Sequence, residues 1–302
     1  MYVFGFDIGG TSIKAGMFKN HKLVVSRSYS SKNKPYHLLL SDMSNFVKEM
    51  VNEYRISELD ILGIGMGIPG IYYQNKVSCV NIDLNSETFI NDFKSLLGFD
   101  TLIVIDNDAN LAALAEAKEK NLQNILLITL GTGIGCGIVI NGTIYHGSQN
   151  IAGEIGHIKV NNPYHFKCSC GKNDCLETLS SATGILRLLN IKDISSSNLT
   201  FSDSCADVFM KAQQGDLLAN QILDESLSYL GNEIGNLVNI LNPDVVVLSG
   251  GMTKSNSFLI DKILPSYQNS LFRAKDTKIT ISSLNLEAGI YGAMWLVSYY
   301  GE

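Results

Sequence analysis

Three closely spaced cysteines are the most specific chemical signal in this sequence. Cys168, Cys170 and Cys175 follow the pattern C-x-C-x4-C, and ten residues separate the first of them from His157. Thiolate sulfur and imidazole nitrogen are ligands of tetrahedral Zn²⁺, and four of them fill its coordination sphere. The spacing therefore predicts a closed, structural zinc site. The alternatives are a metal-free cluster of thiols and a catalytic cysteine, which would need an exposed thiolate beside a base.

Two acids, Glu154 and Glu177, flank this cluster. A closed site of three thiolates and one imidazole needs no oxygen ligand, so the acids require another explanation. We interpret them as acceptors for the hydroxyl groups of a ligand, to which His157 also offers its second ring nitrogen. The alternative is that both are solvated surface acids.

Glycine-rich turns follow three predicted strands. They are DIGGT at Asp7–Thr11, GTGIG at Gly131–Gly135, and the pair Gly250-Gly251. Bare backbone amides can approach a phosphate at such turns, and a carboxylate such as Asp7 can hold Mg²⁺ through water. The alternative for each is an ordinary glycine turn. Their repetition at strand ends favours nucleotide binding, and the missing G-x-x-x-x-G-K-[ST] string excludes a P-loop fold.

The string IDNDAN ends another predicted strand. Asp108 can accept the proton of an attacking sugar hydroxyl there, while Asn107 can bind a neighbouring hydroxyl. The alternative is a helix N-cap, for which Asp and Asn are preferred residues. Both roles are compatible if different residues take them.

Hydrophobic periodicity predicts an α/β chain with two similar lobes facing a cleft. Strands joined by a glycine turn open the chain, and the same arrangement recurs after Asn124. We place the first lobe at residues 1–120, completed by a C-terminal helix at about 287–302, and the second at 121–286 with the zinc-binding loop. Within the first lobe, Ser86 is predicted to cap a helix.

Composition excludes several classes of protein. The net charge of −6 over 302 residues disfavours a nucleic-acid surface. The uncharged stretch 121–153 contains the hairpin signal Asn141-Gly142, which favours two strands over a membrane span. The first residues lack the basic region of a signal peptide, so we expect a cytoplasmic protein, in which clustered cysteines bind metal rather than form disulfides.

Taken together, the motifs resemble those of the repressor/ORF/kinase (ROK) family of sugar kinases, which has the two-lobed actin-like ATPase (ribonuclease H-like) fold. The resemblance covers essentially the whole chain and rests, in order, on DIGGT, IGMGIPG, NDAN, LGTGIG, AGEIGH, CSCGKNDCLE and LSGG. The chain departs from the family's zinc motif at Asp174, where the family usually has glycine. We predict that this aspartate adopts a left-handed backbone conformation.

The resemblance implies an ATP- and Mg²⁺-dependent kinase that phosphorylates the 6-hydroxyl of a hexose, carries structural Zn²⁺ and forms a homodimer. It implies Asp108 as the catalytic base. It assigns sugar contacts to Gly70, Asn81, Asn107, Glu154, His157 and Glu177. It assigns the nucleotide and its Mg²⁺ to Asp7, Gly9, Gly10, Thr11, Thr132, Gly133, Gly250 and Gly251.

The identity of the sugar stays open. Asn81 and Ile82 stand where the family has an Asn-Leu pair, but the Gly-Trp that often follows in glucokinases is absent. N-acetylmannosamine, N-acetylglucosamine and allose therefore remain alternatives to glucose. A sugar-responsive transcriptional repressor of the same family is the alternative from another class. We disfavour it because no helix-turn-helix segment is recognised ahead of the first predicted strand.

Overall fold

A computed structural model describes residues 1–79, 82–274, 276–284 and 287–301. The chain divides into two compact units: unit 1 comprises Met1–Leu122, Gly137–Ala152 and Leu286–Glu302, and unit 2 comprises Gln123–Cys136 and Gly153–Asn285. The segment 137–152, which the sequence analysis assigned to the second lobe, thus clusters with unit 1.

Strands and helices alternate along the chain. The strands are β1 (Tyr2–Ile8), β2 (Ser12–Lys19), β3 (Lys22–Ser30), β4 (Ile61–Ile68), β5 (Gly70–Tyr73), β6 (Lys76–Cys79), β7 (Ile103–Asn107), β8 (Ile125–Leu130), β9 (Ile134–Ile140), β10 (Thr143–Ile144), β11 (Val245–Ser249) and β12 (Lys278–Ile281). The helices are α1 (Tyr36–Glu53), α2 (Phe89–Leu97), α3 (Asp108–Glu119), α4 (Glu177–Ser180), α5 (Ala182–Leu189), α6 (Cys205–Gln213), α7 (Leu217–Leu241), α8 (Ser257–Ser270) and α9 (Ala288–Gly301).

Two five-stranded sheets share one topology. Their strand orders are β3-β2-β1-β4-β7 and β10-β9-β8-β11-β12. In the first sheet β1 pairs antiparallel with β2 and parallel with β4, and β7 continues the parallel part. In the second sheet β11 is parallel to both β8 and β12. The repeated order confirms the duplication that the sequence predicted.

Alternation of side chains along β1 gives the first sheet two apolar faces. Phe4 and Phe6 point to the side covered by α1 and α2, where their rings pack edge to face against Phe46 and Phe93 at 6.0–6.4 Å. On the opposite face Val3 belongs to a smaller cluster with residues of α9. A sheet covered on both faces accounts for the nearly continuous hydrophobic run of β4.

Glycines in the sheet allow α9 to lie directly on it. A Cβ atom on Gly65 of β4 would lie 2.1 Å from the carbonyl oxygen of Ala293, and one on Gly5 of β1 would lie 2.6 Å from that of Ile290. Both distances are shorter than any non-bonded contact, so larger residues would push the helix off the sheet. These glycines therefore attach residues 288–301 to the N-terminal strands.

The structure differs from the sequence prediction around Ser86. Helix α2 begins at Phe89 after Thr88, and the prediction of a Ser86 N-cap is wrong. The backbone of Ser86 instead pairs with Val77: each residue's N–H donates to the other's carbonyl, at 3.1 and 2.8 Å. The sequence analysis also missed the β5–β6 hairpin before it, whose turn residues both have positive φ.

The uncharged stretch between residues 121 and 153 forms β8, β9 and β10, as the hairpin signal indicated. In the part of the chain that the structure describes, no helix combines the length and the apolar character that a membrane span requires.

Candidate active site and metal centre

The parallel strands of unit 1 bring several predicted site residues to one edge. Asp7 of β1 pairs in register with Gly67 of β4, which pairs with Asp106 of β7. The carboxyl ends of the three strands therefore meet at the same edge, where ligands of open α/β sheets bind. Asp7, Gly70, Asn107 and Asp108 all lie at or just beyond these strand ends. Predicted site residue Asn81 lies outside the described residues.

Asn107 holds the junction between β7 and α3. Its side-chain oxygen accepts hydrogen bonds from the backbone N–H groups of Ala109 at 2.9 Å and Asn110 at 3.4 Å, and its amide nitrogen donates to the carbonyl of Gly70 at 3.2 Å. The N-cap interpretation is therefore confirmed for Asn107. Asp108, the predicted base, is the first residue of α3 and is half-buried.

Asp106 and His146 form a buried pair that the sequence analysis did not assign to the site. Asp106 is 7% exposed, and one of its carboxylate oxygens lies 2.6 Å from Nε2 of His146. The other oxygen accepts from the N–H of Asn107 at 2.7 Å and from the side-chain amide of Asn110 at 2.8 Å. The hydrogen bond to Asp106 raises the pKa of His146 above its ordinary value. Forty positions separate the two residues, and no spacing rule links them.

Ser31 ties down the first glycine turn, which joins β1 to β2. The hydroxyl of Ser31 donates to the carbonyl of Gly9 at 2.5 Å, and its N–H donates to the carbonyl of Thr11 at 3.1 Å. The N–H of Gly9 is bonded within the turn to the carbonyl of Ser12. The turn is therefore held from both sides, while Thr11 is exposed and Gly10 half-exposed.

Asp7 lies below this turn, at the end of β1. Burial raises the pKa of its carboxyl group, and Lys14, 4.0 Å away, partly opposes the rise. A Cβ atom on Gly289 would lie 2.4 Å from Cγ of Asp7, so α9 also packs against this carboxylate. A carboxylate in such a setting gains from a bound cation, because the cation offsets the lost hydration.

Unit 2 repeats the arrangement with different ligand groups. Thr129 of β8 pairs with Ser249 of β11, so the turns that follow the two strands lie at one edge. Gly250 has φ of +95°, and a Cβ atom there would lie 2.5 Å from the carbonyl of Leu130. Gly251 has open space around its Cα, which leaves bare backbone for a ligand.

The second turn also reaches one of the predicted sugar ligands. A Cβ atom on Gly133 would lie 2.8 Å from Oε2 of Glu177, which is the first residue of α4. Unit 2 therefore places a predicted nucleotide residue against a predicted sugar residue. Thr132, next to it, is exposed.

Four ligand atoms converge in the predicted metal centre. The donor atoms of His157, Cys168, Cys170 and Cys175 all lie within 4.8 Å of one another. Sγ of Cys168 is 3.5 Å from Nδ1 of His157, and Sγ of Cys170 is 3.6 Å from that of Cys175. A tetrahedral zinc ion separates its ligand atoms by about 3.5–3.8 Å, so this donor set fits the ion in chemistry and in size.

The imidazole of His157 has Cys168 beside one ring nitrogen and Glu154 nearest the other. Its Nδ1 faces Cys168, whereas Nε2 is 3.8 Å from a carboxylate oxygen of Glu154. Oε1 of Glu177 is 3.9 Å from Nδ1 and accepts a hydrogen bond from Sγ of Cys168 at 3.0 Å. The structure thus brings together the metal ligands and the three sugar contacts predicted in this loop.

The thiols differ in acidity. Burial raises the pKa of Cys175 to about 12 and also raises that of Cys168, whereas the backbone N–H of Lys172 lowers the pKa of Cys170. A metal ion must displace the protons of the more buried thiols, so its binding at this centre releases protons.

Several known proteins are similar to this chain in sequence and in fold. The ROK family profile matches residues 3–299. The chain belongs to the ROK family. A glucokinase from Halalkalibacterium halodurans is 36% identical, over 97% of this chain and 94% of its own length. An N-acetyl-D-glucosamine kinase from Vibrio atlanticus is 30% identical, over 97% and 98%. The crystal structure of a ROK hexokinase from Thermus thermophilus superposes with a TM-score of 0.85 at 26% identity, covering 99% of this chain and 98% of that one.

These similarities confirm the predicted family and the two-lobed actin-like ATPase fold. They also confirm that the protein is an ATP-dependent sugar kinase. Kinases of this kind use ATP with Mg²⁺, and a sugar and ATP are the two substrates.

Asp174, the departure from the ROK zinc motif, has φ of +67°, which confirms the predicted left-handed conformation. Its buried carboxylate accepts hydrogen bonds from the side-chain amide of Asn162 and from Nδ1 of His165, both at 3.2 Å. Burial raises the pKa of this carboxyl group, but the bonds from His165 and Asn162 outweigh it and lower the pKa overall. The side chain thus connects residues 162–165 to the turn that precedes Cys175.

Substitutions at Asp174 should rank Asn, then Gly, then Ala in zinc retention. Asn tolerates positive φ and keeps an acceptor, Gly keeps only the conformation, and Ala keeps neither. We expect Asp174→Ala to weaken zinc binding by about tenfold or more, as for other residues that orient metal ligands. Competition with a chromogenic chelator measures the effect, with the exposed Asp100→Asn as control. Equal zinc affinity in all three variants would contradict the role of the carboxylate.

Proposed function

We propose that this sugar kinase transfers the γ-phosphoryl group of ATP to the 6-hydroxyl of a hexose, with glucose as the first candidate. The observation that carries the proposal is the position of Asp108 at the first turn of α3, where Asn107 joins that turn to Gly70. A carboxylate on a rigid helix terminus is suited to accept a proton from a bound hydroxyl. The 36% identity to a glucokinase supports glucose as the acceptor.

In this proposal the predicted site residues have distinct roles in phosphoryl transfer. Asp108 takes the proton of the 6-hydroxyl as its oxygen attacks the γ-phosphorus in line, and ADP leaves. The backbone amides of Gly9–Thr11 and of Thr132-Gly133 stabilise the phosphate oxygens, and Asp7 holds Mg²⁺ through water. Gly250 and Gly251 accept the adenosine against bare backbone, as the open space beside Gly251 allows.

We also propose that the cysteine cluster binds structural Zn²⁺. Three thiolates and Nδ1 of His157 occupy its four positions, so the ion takes no part in phosphoryl transfer. Nε2 of His157 then stays available to a sugar hydroxyl, together with Glu154 and Glu177. Because a metal-bound thiolate cannot donate a hydrogen bond, Oε1 of Glu177 would no longer accept from Cys168 and would be available to a sugar hydroxyl.

N-acetylglucosamine is the second candidate acceptor, supported by the relative from Vibrio atlanticus. N-acetylmannosamine and allose, the other sugars left open by the sequence, have no such support in these two relatives. A homodimer and a cytoplasmic location are further proposals, which rest on the resemblance to the ROK family.

Replacement of Asp108 tests the proposed base. Asp108→Asn keeps the shape of the side chain but cannot accept the proton, so kcat should fall by about 10²–10⁴-fold. The KM for sugar should change less than kcat, because the other proposed sugar contacts are unaltered. A coupled ADP-release assay measures both, and the exposed Asp100→Asn is the matched control. Turnover close to wild type would remove Asp108 from the role.

The same assay across a panel of sugars tests the choice of acceptor. We expect the largest kcat/KM for glucose, a smaller one for N-acetylglucosamine, and phosphate on the 6-oxygen of the product. A hexosamine pocket would reverse the order, because a site shaped for the acetamido group leaves its polar groups unpaired with glucose. If N-acetylglucosamine is phosphorylated and glucose is not, the result would favour N-acetylglucosamine as the acceptor.

Zinc removal should weaken sugar binding and stability together. Dialysis against a chelator should raise the Kd for glucose, since Glu154, His157 and Glu177 lose their fixed positions, and should lower Tm. ATP-analogue binding should change less, because the glycine turns do not contain metal ligands. Calorimetric titration of metal-free and zinc-restored protein gives both constants. Unchanged glucose affinity in protein shown to be free of zinc would contradict this link.

A further inference from the structure

The pair formed by Asp106 and His146 is the strongest feature that the proposed function leaves unused. It lies in unit 1 beside a cavity of about 260 Å³ that is also lined by Gly70, Tyr72, Asn107 and Tyr300. Gly70 and Asn107 are predicted sugar-binding residues, so Asp106 and His146 adjoin the proposed active site but have no assigned role in it.

One carboxylate joins two separate segments of unit 1. Oδ1 of Asp106 accepts from the N–H of Asn107 and from the side chain of Asn110, which fixes the first turn of α3. Oδ2 is bonded to His146 at 2.6 Å, in the loop that follows β10. The carbonyl of His146 in turn accepts from the N–H of Ala152, so this loop is closed on itself.

The Asp106 carboxylate is buried and depends on its hydrogen-bond partners. Loss of the bond between Oδ2 and His146 would leave a buried carboxylate less well paired, so the side chain would turn or draw in water. Either change would weaken Asp106 as an acceptor for Asn107 and Asn110. The first turn of α3, which carries Asp108, would then lose hydrogen bonds that fix its position.

We propose that Asp106 and His146 act as a positioning pair for the catalytic base: His146 holds the buried Asp106 carboxylate, which in turn holds the first turn of α3. Neither residue touches the reacting atoms. The inference rests on the proposed role of Asp108, and its test must be separable from the test of that role.

Charges around His146 support a pH dependence. The titratable groups that line the same cavity are Asp106 of β7, Tyr72 of β5 and Tyr300 of α9. Burial raises the pKa of both tyrosines, so they stay neutral near physiological pH. The hydrogen bond to Asp106 raises the pKa of His146, so the charged pair is present below that elevated value and is weakened to a neutral hydrogen bond as the pH rises through it. The wild-type kcat should accordingly fall on the alkaline side.

The experiment compares kcat–pH profiles of wild type, His146→Gln, Asp106→Asn and the double variant. Either single substitution should lower kcat by about 10-fold to 100-fold, as expected for a misplaced catalytic group, with a smaller change in the KM for ATP, and should remove the alkaline decline. The double variant should be no worse than the singles, because the pair is lost only once. His37→Gln, on the exposed surface of α1, is the control.

The outcomes separate the two proposals. If His146→Gln has the same kcat and the same kcat–pH profile as the wild type, the positioning role is wrong, regardless of the activity of Asp108→Asn. Full turnover in Asp108→Asn would instead overturn the base and leave the pair without a function. If the variants do not fold, the pH titration of the His146 ring resonances in the wild-type protein tests the proposal by NMR. The His146 resonance must titrate above the ordinary histidine value and coincide with the decline in kcat, and a separate midpoint contradicts the proposal.

Discussion

The contact between α9 and the glycines of β1 and β4 is the constraint on which unit 1 depends. Carbonyl oxygens of Ile290 and Ala293 occupy the space that side chains on Gly5 and Gly65 would fill. This close packing gives the sheet its second apolar cover and brings Gly289 against Asp7. The pairing of β1, β4 and β7 brings their ends to one edge of this sheet, so Asp7 and Asn107 take their positions from the packing and pairing of the backbone.

In unit 2 the predicted site residues are positioned in a different way. Its glycine turns also follow parallel strands, but the loop between Glu154 and Glu177 consists largely of irregular backbone. In our proposal, Zn²⁺ held by one imidazole and three thiolates would fix the shape of this loop. Asp174 extends that cluster into the neighbouring turn through Asn162 and His165. A side chain where the family usually has glycine is therefore an added connection rather than a defect in the motif.

Much of this could be predicted from local sequence. The strands, the duplicated topology, the clustering of three thiols with His157 and the cap at Asn107 follow from periodicity, glycine turns and residue spacing, which act over a few positions. Ser86 was misassigned because its backbone is taken by Val77, a partner in a hairpin that a local pattern did not reveal. The Asp106–His146 pair was missed for the same reason, since only the folded chain brings residues forty positions apart together. Long-range pairing is the part of the structure that local rules cannot supply.

The division of the chain also bears on its synthesis. Unit 1 is assembled from three separate segments, and its last helix is made after all of unit 2. Until residues 288–301 leave the ribosome, the face of β1 and β4 that they cover stays open, and its glycines offer no side chains to shield the sheet. The nascent chain must therefore hold a half-covered, aggregation-prone sheet while the 180 residues between β7 and α9 are translated. Chaperone binding to this face during translation, and slow refolding of the full-length chain through contacts distant in sequence, are the expected consequences.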